Sequence, residues 1–503
     1  MAAITVTNLT FSYDDSYDNI FENVSFTIDT NWKLGFIGRN GRGKTTFLNL
    51  LMGKYEYSGK INTSVTFDYF PFEVKNKKQN AYEIGYELNP DFEPWTLERE
   101  ISLLGMDFEI LERPFETLSK GEQTRVLLAI LFLKENNFLL IDEPTNHLDV
   151  EAREIVANYL KKKRSFILVS HDRKFLDACI DHVLSINKAN IEIQQGNFST
   201  WWENKERQDN FELDENEKLR RDISRLEKAA RQTADWSHQA ESAKYNQRRD
   251  QIQDKGWLGH KAAKIMKRSI SARDRKEKAI EEKSKLLKNI ETIEDLSINP
   301  IENRSGNIIE VGDLSIRYGN RIIFEGANFA VEEGDRIQLK GKNGCGKSSL
   351  IKLILGEKID YDGFLYVPSN IKISYISQDT SHLKGTLSDY AKDKGIDETL
   401  FKSILRKLGF ERIQFDKKIE SYSEGQKKKV LIAKSLSEQA NLYIWDEPLN
   451  YIDVISRMQI EELILNYCPT MIFVEHDETF SEKVATKTVV IGSDYDTIKK
   501  IRR

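Results

Sequence analysis

Four short motifs occur twice in this chain, in the same order and about three hundred residues apart. The first set is GRNGRGKT (Gly38 to Thr45), LSKGEQ (Leu118 to Gln123), LLIDEP (Leu139 to Pro144) and SHD (Ser170 to Asp172). The second is GKNGCGKS (Gly341 to Ser348), YSEGQ (Tyr422 to Gln426), YIWDEP (Tyr443 to Pro448) and EHD (Glu475 to Asp477). Lys44 and Lys347 are 303 residues apart, Ser119 and Ser423 304, Glu143 and Glu447 304, and His171 and His476 305. One glycine-rich match arises easily by chance; four in register, twice, do not. The chain must therefore build two copies of one nucleotide-binding unit, and its role depends on what joins them.

At 503 residues the length allows roughly three domains, each large enough for its own core. Hydrophobic residues make up 39% and mean hydropathy is −0.54, so a soluble globular chain is expected. No apolar run reaches the roughly 18 residues of a membrane span, and the opening MAAITVTNLTF reads as a first strand, not a secretory signal. Cys179, Cys345 and Cys468 lie too far apart in sequence for a Cys₄ cluster and suit a reducing cytosol, so a cytoplasmic location is expected. The seven histidines show no metal-ligand spacing. The net charge of −5 by itself argues against a nucleic-acid binder, but the distribution of charge argues for one. Residues 244–278 hold 12 Lys+Arg against 4 Asp+Glu, a concentrated positive footprint on an acidic chain.

Residues 1–204 read as a first ATPase unit, 205–305 as a linker and 306–503 as a second unit. In the first unit, short apolar runs end in the motifs: Lys33–Ile37 in the glycine-rich loop, Asn137–Ile141 in Asp142, Ser165–Val169 in His171. Strands that feed directly into loops and helices imply an α/β fold with a mainly parallel sheet. Within the linker glycine nearly vanishes. Leu219, Ile223, Leu226 and Ala230 form one apolar stripe, and Leu286, Ile290 and Ile293 form another. Lys255 to Gly259 supplies the break between them, giving a long helical hairpin. A solvated spacer would fit the charge as well, but positive residues gather at the tip rather than along the stem.

The glycine-rich loops predict phosphate sites. Gly38, Gly41 and Gly43, with Gly341, Gly344 and Gly346 in the second copy, let backbone N–H groups converge on phosphate oxygens. Lys44 and Lys347 reach the β- and γ-phosphates. Thr45 and Ser348 can ligate Mg²⁺, with Asn40, Thr46, Asn343 and Ser349 beside them. Asp142 and Asp446 end apolar strands near the metal. Glu143 and Glu447 follow, where a carboxylate polarises the attacking water. His171 and His476 can hold the γ-phosphate and that water. The cofactors implied are ATP and Mg²⁺.

Ser119-Lys120-Gly121-Glu122-Gln123 and Ser423-Glu424-Gly425-Gln426 resemble the signature segment of ABC ATPases. With the other motifs, the chain resembles that superfamily in both copies. The resemblance implies two tandem ABC-type domains forming an intramolecular head-to-tail sandwich, with the protein a monomer. Lys44 would then share its nucleotide with Ser423 and Gly425, and Lys347 with Ser119 and Gly121. It also implies that Tyr13 and Tyr318 stack on adenine and that Asp149 and Asp453 belong to D-loops.

ABC transporters need membrane domains, which this sequence lacks. The ribosome-recycling ABC protein carries iron–sulfur clusters, which three scattered cysteines exclude. The phrase DEPTNHLD (Asp142 to Asp149) and the charged linker look like the ABC-F family, across essentially the whole chain. That family's pattern implies binding to the bacterial 70S ribosome at the exit (E) site. The linker tip would reach 23S rRNA near the peptidyl-transferase centre and the P-site tRNA. Only about 45 residues separate Phe72 from Leu118, so a long arm is missing. That absence and the long linker look like the antibiotic-resistance branch. DTNWKLGFIGRNGRGKT and IWDEPLNYIDV look most like its Lsa-type members, which protect against lincosamides, streptogramin A compounds and pleuromutilins. The alternatives are a housekeeping translation factor and the ATPase half of a transporter with separate membrane subunits.

Two departures from the pattern predict unequal sites. Gln378 matches the family's Q-loop glutamine as a Mg²⁺-side contact, but Phe72 stands at the corresponding place in the first unit. DEPLNYID (Asp446 to Asp453) places Tyr451 where His is usual. Cys345 lies inside the second phosphate loop. At the linker tip, Tyr245, Trp257, Leu258, His260, Lys261, Lys264, Lys267 and Arg268 are the candidates for ribosome and tRNA contact. There basic groups meet phosphates and aromatic rings stack on bases. Trp257 could equally clamp the two helices together.

Overall fold

The computed structural model describes residues 3–13, 19–134, 137–146, 148–186, 191–245, 295–302, 307–319, 321–342, 344–492 and 499–500. They fall into two compact units, Met1–Trp201 with Ile293–Arg503, and Trp202–Thr292. The first unit contains two lobes of one plan.

In the first lobe the strands are β1 (Ala3–Phe11), β2 (Phe21–Asp29), β3 (Lys33–Ile37), β4 (Ser58–Asn62), β5 (Thr66–Phe70), β6 (Asn137–Asp142), β7 (Phe166–Val169), β8 (His182–Ile186) and β9 (Ile191–Gln195). The helices are α1 (Lys44–Leu51), α2 (Ala81–Leu88), α3 (Pro94–Leu103), α4 (Lys120–Leu131), α5 (Val150–Lys162) and α6 (Arg173–Cys179). The main sheet runs β5-β6-β7-β3-β8-β9, parallel except for the β8–β9 pair. Its central strands read KLGFI and FILV, the unbroken apolar runs of a sheet covered on both faces. The parallel reading of the sequence holds here. A second, three-stranded antiparallel sheet, β2-β1-β4, was not foreseen. Its β1 is interrupted by register shifts at Val6/Leu9 and Leu9/Phe11, which blur the two-residue alternation that would announce it.

Helix α1 lies between the two sheets. Phe47 is fully buried, with its ring 5.6 Å from those of Phe26 and Phe36 and 6.1 Å from that of Phe21. Burying one such ring contributes about 1.5–3 kcal/mol. It also fixes the helix whose first residue is Lys44. The second lobe repeats this plan with β10 (Asn307–Tyr318), β11 (Arg321–Glu332), β12 (Arg336–Lys340), β13 (Tyr361–Tyr366), β14 (Ile373–Ile376), β15 (Leu442–Asp446), β16 (Met471–Val474), β17 (Lys487–Val490) and β18 (Lys499–Lys500). Its sheets run β14-β15-β16-β12-β17-β18 and β11-β10-β13. Its helices are α8 (Lys347–Ile354), α9 (Leu387–Lys394), α10 (Glu398–Lys407), α11 (Arg412–Phe415), α12 (Glu424–Ser437), α13 (Val454–Tyr467) and α14 (Glu478–Val484). Leu296 and Ile298 are buried in this lobe's helical core with Phe401, Trp445 and Phe473.

The helix between the lobes in sequence, here α7 (Phe198–Tyr245), begins at Phe198, seven residues before the composition changes. Its first turn is held by lobe contacts: Phe198 and Trp201 are buried, and the Ser199 N–H donates to Asp177 at 2.8 Å. Farther along, Lys205–Asp209 and Arg221–Glu217 pairs stitch successive turns, as on a solvated helix. The rest of the expected hairpin, with Trp257, Leu258, His260, Lys261, Lys264, Lys267 and Arg268, lies outside the described residues. Tyr245 ends α7, and its side chain lies outside them too.

Candidate functional site

Both phosphate loops place a left-handed glycine directly before a helix. Gly43 has φ 92° and Gly346 φ 102°, and neither α1 nor α8 has a side-chain N-cap bond. A Cβ on Gly43 would meet Ile20 Cγ2 at 2.5 Å, so only glycine fits. The result is a helix start with no side-chain cap, whose leading N–H groups are available to an anion. Lys44 is buried and donates from Nζ to the Gly38 carbonyl at 2.7 Å; Lys347 does the same to Gly341 at 2.8 Å. Thr45 Oγ1 donates to Asp142 Oδ2 and Ser348 Oγ to Asp446 Oδ2, each at 3.1 Å. A hydroxyl, one carboxylate and the phosphates themselves suit Mg²⁺, which keeps several waters and needs no all-protein cage. Tyr13 donates or accepts at Thr46 Oγ1 (2.8 Å), and Tyr318 donates to Ser349 Oγ (3.3 Å), with each ring partly exposed.

The strands β6 and β15 deliver the acids. Glu143 and Glu447 sit just past them with φ of 52° and 48°. This left-handed backbone costs on the order of 1–3 kcal/mol for a non-glycine residue. Their main-chain N–H groups donate to Val169 and Val474, which lock the turn. His171 Nε2 lies 3.2 Å from Glu143 Oε1, and His476 Nε2 lies 3.4 Å from Glu447 Oε1. The geometry is thus nearly two-fold symmetric.

The electrostatics are not. Burial, reinforced by the neighbouring Asp142, pushes the Glu143 carboxyl up to about 8. Burial and the Lys44 and Arg457 charges hold the His171 imidazole well below its ordinary value. Burial also raises Glu447, but the His476 hydrogen bond, the Lys428 ammonium and Gln378 outweigh it and leave the carboxyl below its ordinary range. Gln378 Nε2 and Asn450 Nδ2 each donate to Glu447 Oε2 at 2.8 Å. Phe72 offers no such donor in the first lobe; instead Tyr69 donates to Asp142 Oδ2 at 2.9 Å. Burial raises both Asp142 and Asp446.

The two lobes meet at these motifs. Asn40 Nδ2 donates to the Tyr451 carbonyl at 2.6 Å, and the Asn40 N–H to Asp453 Oδ2 at 3.3 Å. A Cβ on Gly425 would touch Tyr451 O at 2.5 Å and Asn40 Nδ2 at 3.0 Å, so this signature glycine sits against the first phosphate loop. On the other side a cavity of about 1120 Å³ is lined by Ser119, Gly121, Asp149, Lys347, Glu447 and His476, among others. Arg153 reaches across from α5, donating to Asp172 (3.2 Å) and to the His476 carbonyl (3.0 Å).

The structure therefore brings Lys44 together with Gly425, and Lys347 with Ser119 and Gly121. Ser119 and Ser423 are helix N-caps. Glu122 and Gln426 close their capping boxes, accepting from the Ser119 and Ser423 N–H groups at 2.7 and 3.0 Å. Asn343 lies outside the described residues. Sequence reasoning missed Tyr69, Arg153, Lys428 and Glu475. Only the EHD triplet hinted at the last, and the run Lys427-Lys428-Lys429 after the signature was the one signal for Lys428.

Glu475 is buried, and its Oε1 accepts from the Leu449 N–H at 2.7 Å. Burial pushes its carboxyl up to about 7. The folded value exceeds the unfolded one, so the stabilisation is full below about pH 4.3 and is lost as pH rises through 7. Glu475→Gln should therefore raise the thermal midpoint at pH 8 by an amount equivalent to about 1–3 kcal/mol, and much less at pH 5. Equal shifts at the two pH values would contradict this.

The family model described as ABC transporter matches residues 21–146 and 324–450. The ATP-binding protein Uup of Buchnera aphidicola (subsp. Acyrthosiphon pisum, strain APS) is 29% identical, over 99% of this chain and 84% of that protein. The ribosome protection protein VmlR of Bacillus subtilis (strain 168) is 27% identical, over 98% of this chain and 87% of that one. The ABC transporter F family member 5 of Arabidopsis thaliana is 24% identical over 94% and 72%. Among solved structures, one from the complex of the archaeal ribosomal stalk protein aP1 with the archaeal ribosome recycling factor aABCE1 superposes with a TM-score of 0.61. It shares 18% identity over 98% of this chain and 89% of that one, a likeness of fold. Among the described residues no helix is long and apolar enough to cross a membrane. With two matched domains spanning half its length and two built phosphate loops, the chain belongs to the ABC transporter family, as an ATPase that works on ATP with Mg²⁺.

Proposed function

We propose that this chain is an ATP-dependent ribosome protection protein of the antibiotic-resistance branch, most like the Lsa-type members. On this reading residues 1–204 and 306–503 are the two ATPase domains and 205–305 the linker. The chain works in the cytoplasm, binds the bacterial 70S ribosome at the E site and extends the linker tip toward the peptidyl-transferase centre and the P-site tRNA. There it displaces lincosamide, streptogramin A or pleuromutilin drugs. The observation that carries the reading is likeness to VmlR, named a ribosome protection protein, along 98% of the chain. The concentrated positive charge of residues 244–278 supports an rRNA or tRNA contact.

Each ATP lies between a phosphate loop of one lobe and a signature segment of the other. Lys44, Thr45, Asp142 and Tyr13 hold one nucleotide with Ser423 and Gly425. Lys347, Ser348, Asp446, Gln378 and Tyr318 hold the other with Ser119 and Gly121. Glu143 and Glu447 face the attacking water, with His171 and His476 beside them. ATP then closes the lobes and hydrolysis frees them, a switch read out elsewhere on the chain. Bound Mg²⁺ would neutralise phosphate charge.

The test is cell-free bacterial translation stalled by a lincosamide or a pleuromutilin, with and without the protein and ATP. Synthesis should recover, and recovery should vanish when residues 245–260 are replaced by a short turn. No recovery with any peptidyl-transferase drug, alongside ATP-dependent ribosome binding, would support the housekeeping translation factor instead.

A further inference from the structure

The two signature helices are anchored differently. In the second lobe Lys428, one turn into α12, is buried, and its Nζ donates to the main-chain carbonyls of Ser377 and Glu447, both at 3.1 Å. Those two contacts grip the segments whose side chains meet each other, since Gln378 directly follows Ser377 and donates to the Glu447 carboxylate. A second tie runs beside it: Thr380 Oγ1 donates to Glu424 Oε2 at 2.6 Å. Helix α12 is thus fastened at two points to the Gln378 loop and at one to the residue that bears the carboxylate.

The first lobe has neither tie. Thr124 stands where Lys428 stands, and its hydroxyl donates back to the Lys120 carbonyl of its own helix at 3.0 Å. Lys120 stands where Glu424 stands and donates to Gln123, also on α4, at 3.4 Å. Both side chains serve α4 itself.

The start of α12 faces the opposite site. Gly425 lies against Asn40 of the first phosphate loop, while Lys428, three residues on, holds the machinery of the second. An ammonium donating to two carbonyls makes charge-assisted bonds that a threonine cannot reach. A shift of the signature end of α12 is transmitted to the Glu447 turn through a buried, rigid stem. The corresponding path through α4 is broken at Thr124.

We propose that Lys428 is a positioning residue that couples the two ATP sites through one signature helix, α12, and not through α4. It ties the signature helix serving the first nucleotide to the carboxylate turn of the second. The inference rests on the assignment of Glu447 to second-site chemistry, and the experiment separates the two.

Steady-state ATP hydrolysis by the full chain is measured in a Glu143→Gln background, which leaves the second site to turn over. There Glu447→Gln must abolish the remaining turnover; if it does not, the assignment of the site fails irrespective of Lys428. Given that result, Lys428→Thr and Lys428→Met should each lower kcat roughly tenfold or more with KM for ATP within about twofold, as displacement of a reacting group does. Lys428→Met keeps the apolar stem, so packing is preserved in at least one variant. Lys428→Arg should recover most of the loss. Ser423→Ala should slow the second site less in the Lys428→Thr protein than in its parent, a non-additivity that independent residues do not show. A kcat within twofold of the parent in both variants, an arginine variant no better than threonine, or strict additivity with Ser423→Ala overturns the proposal.

Discussion

Glu447→Gln is expected to lower ATP hydrolysis by the full chain about 10²- to 10³-fold, and Glu143→Gln by less than about tenfold. The two carboxylates share a position, a left-handed backbone and a histidine neighbour, yet their surroundings differ. Glu447 accepts from Gln378 and Asn450, faces His476 and lies near the Lys428 ammonium, which together keep it ionised below its ordinary range. A carboxylate so held can orient water and take a proton. Glu143 lies half-buried beside Asp142 with no side-chain amide donor among the described residues, and desolvation with that neighbouring carboxylate pushes its carboxyl up to about 8, so it keeps its proton more readily than Glu447. A protonated acid is a poor base. Phe72 and Thr124 supply neither the amide nor the cation that the second site enjoys. The measurement is phosphate release by the two single variants and the double variant at saturating ATP and Mg²⁺. Equal losses in the single variants would sink the argument for inequality.

The largest stability effect is expected at the second D-loop. Asp453 is fully buried and pairs with Lys429, itself 3% exposed, at 2.7 Å. Asp453 also accepts from the Ser456 N–H at 2.9 Å as the N-cap of α13. Removing one partner strands a charge in the interior, so Asp453→Ala should cost about 3–5 kcal/mol. Replacing both, as Lys429→Met with Asp453→Ser, keeps a capping oxygen and removes the stranded ammonium. That double variant should regain much of the loss. Burial raises the Asp453 carboxyl, but Lys429 outweighs it and holds the group far below the usual carboxylate range. Its stabilisation is therefore present above about pH 3.9 and is lost only as pH falls toward the folded value. Urea unfolding followed at pH 7 and pH 4 tests both statements. A double variant no more stable than Asp453→Ala would contradict the stranded-charge account.

The phosphate loops, the strand-end acids and the signature caps were legible because each is a contiguous run whose backbone does the work. Gly43 before Lys44, or Ser119 three residues before Glu122, states its conformation locally. Tyr69, Arg153 and Lys428 were hidden because their partners are remote in sequence. Two of them act on main-chain carbonyls, which no motif records. The antiparallel sheets were hidden for a related reason: β1 finds its partner β4 some fifty residues away, across bulges that erase the alternation. Helix α7 starts before the composition changes because Phe198 and Trp201 still belong to the lobe that the helix leaves.

By itself the sequence determined that this chain has two nucleotide-binding units of one kind, with candidate phosphate-binding residues named in each. Local backbone geometry and hydrophobic periodicity suffice for that, since both are written within a few residues. Only the tertiary structure decided how unequal those units are. The sequence announced the missing glutamine at Phe72, but not its direction of effect. That direction follows from burial and from which charges surround Glu143 and Glu447. Both depend on Coulomb interactions over a few ångströms between segments distant in the chain.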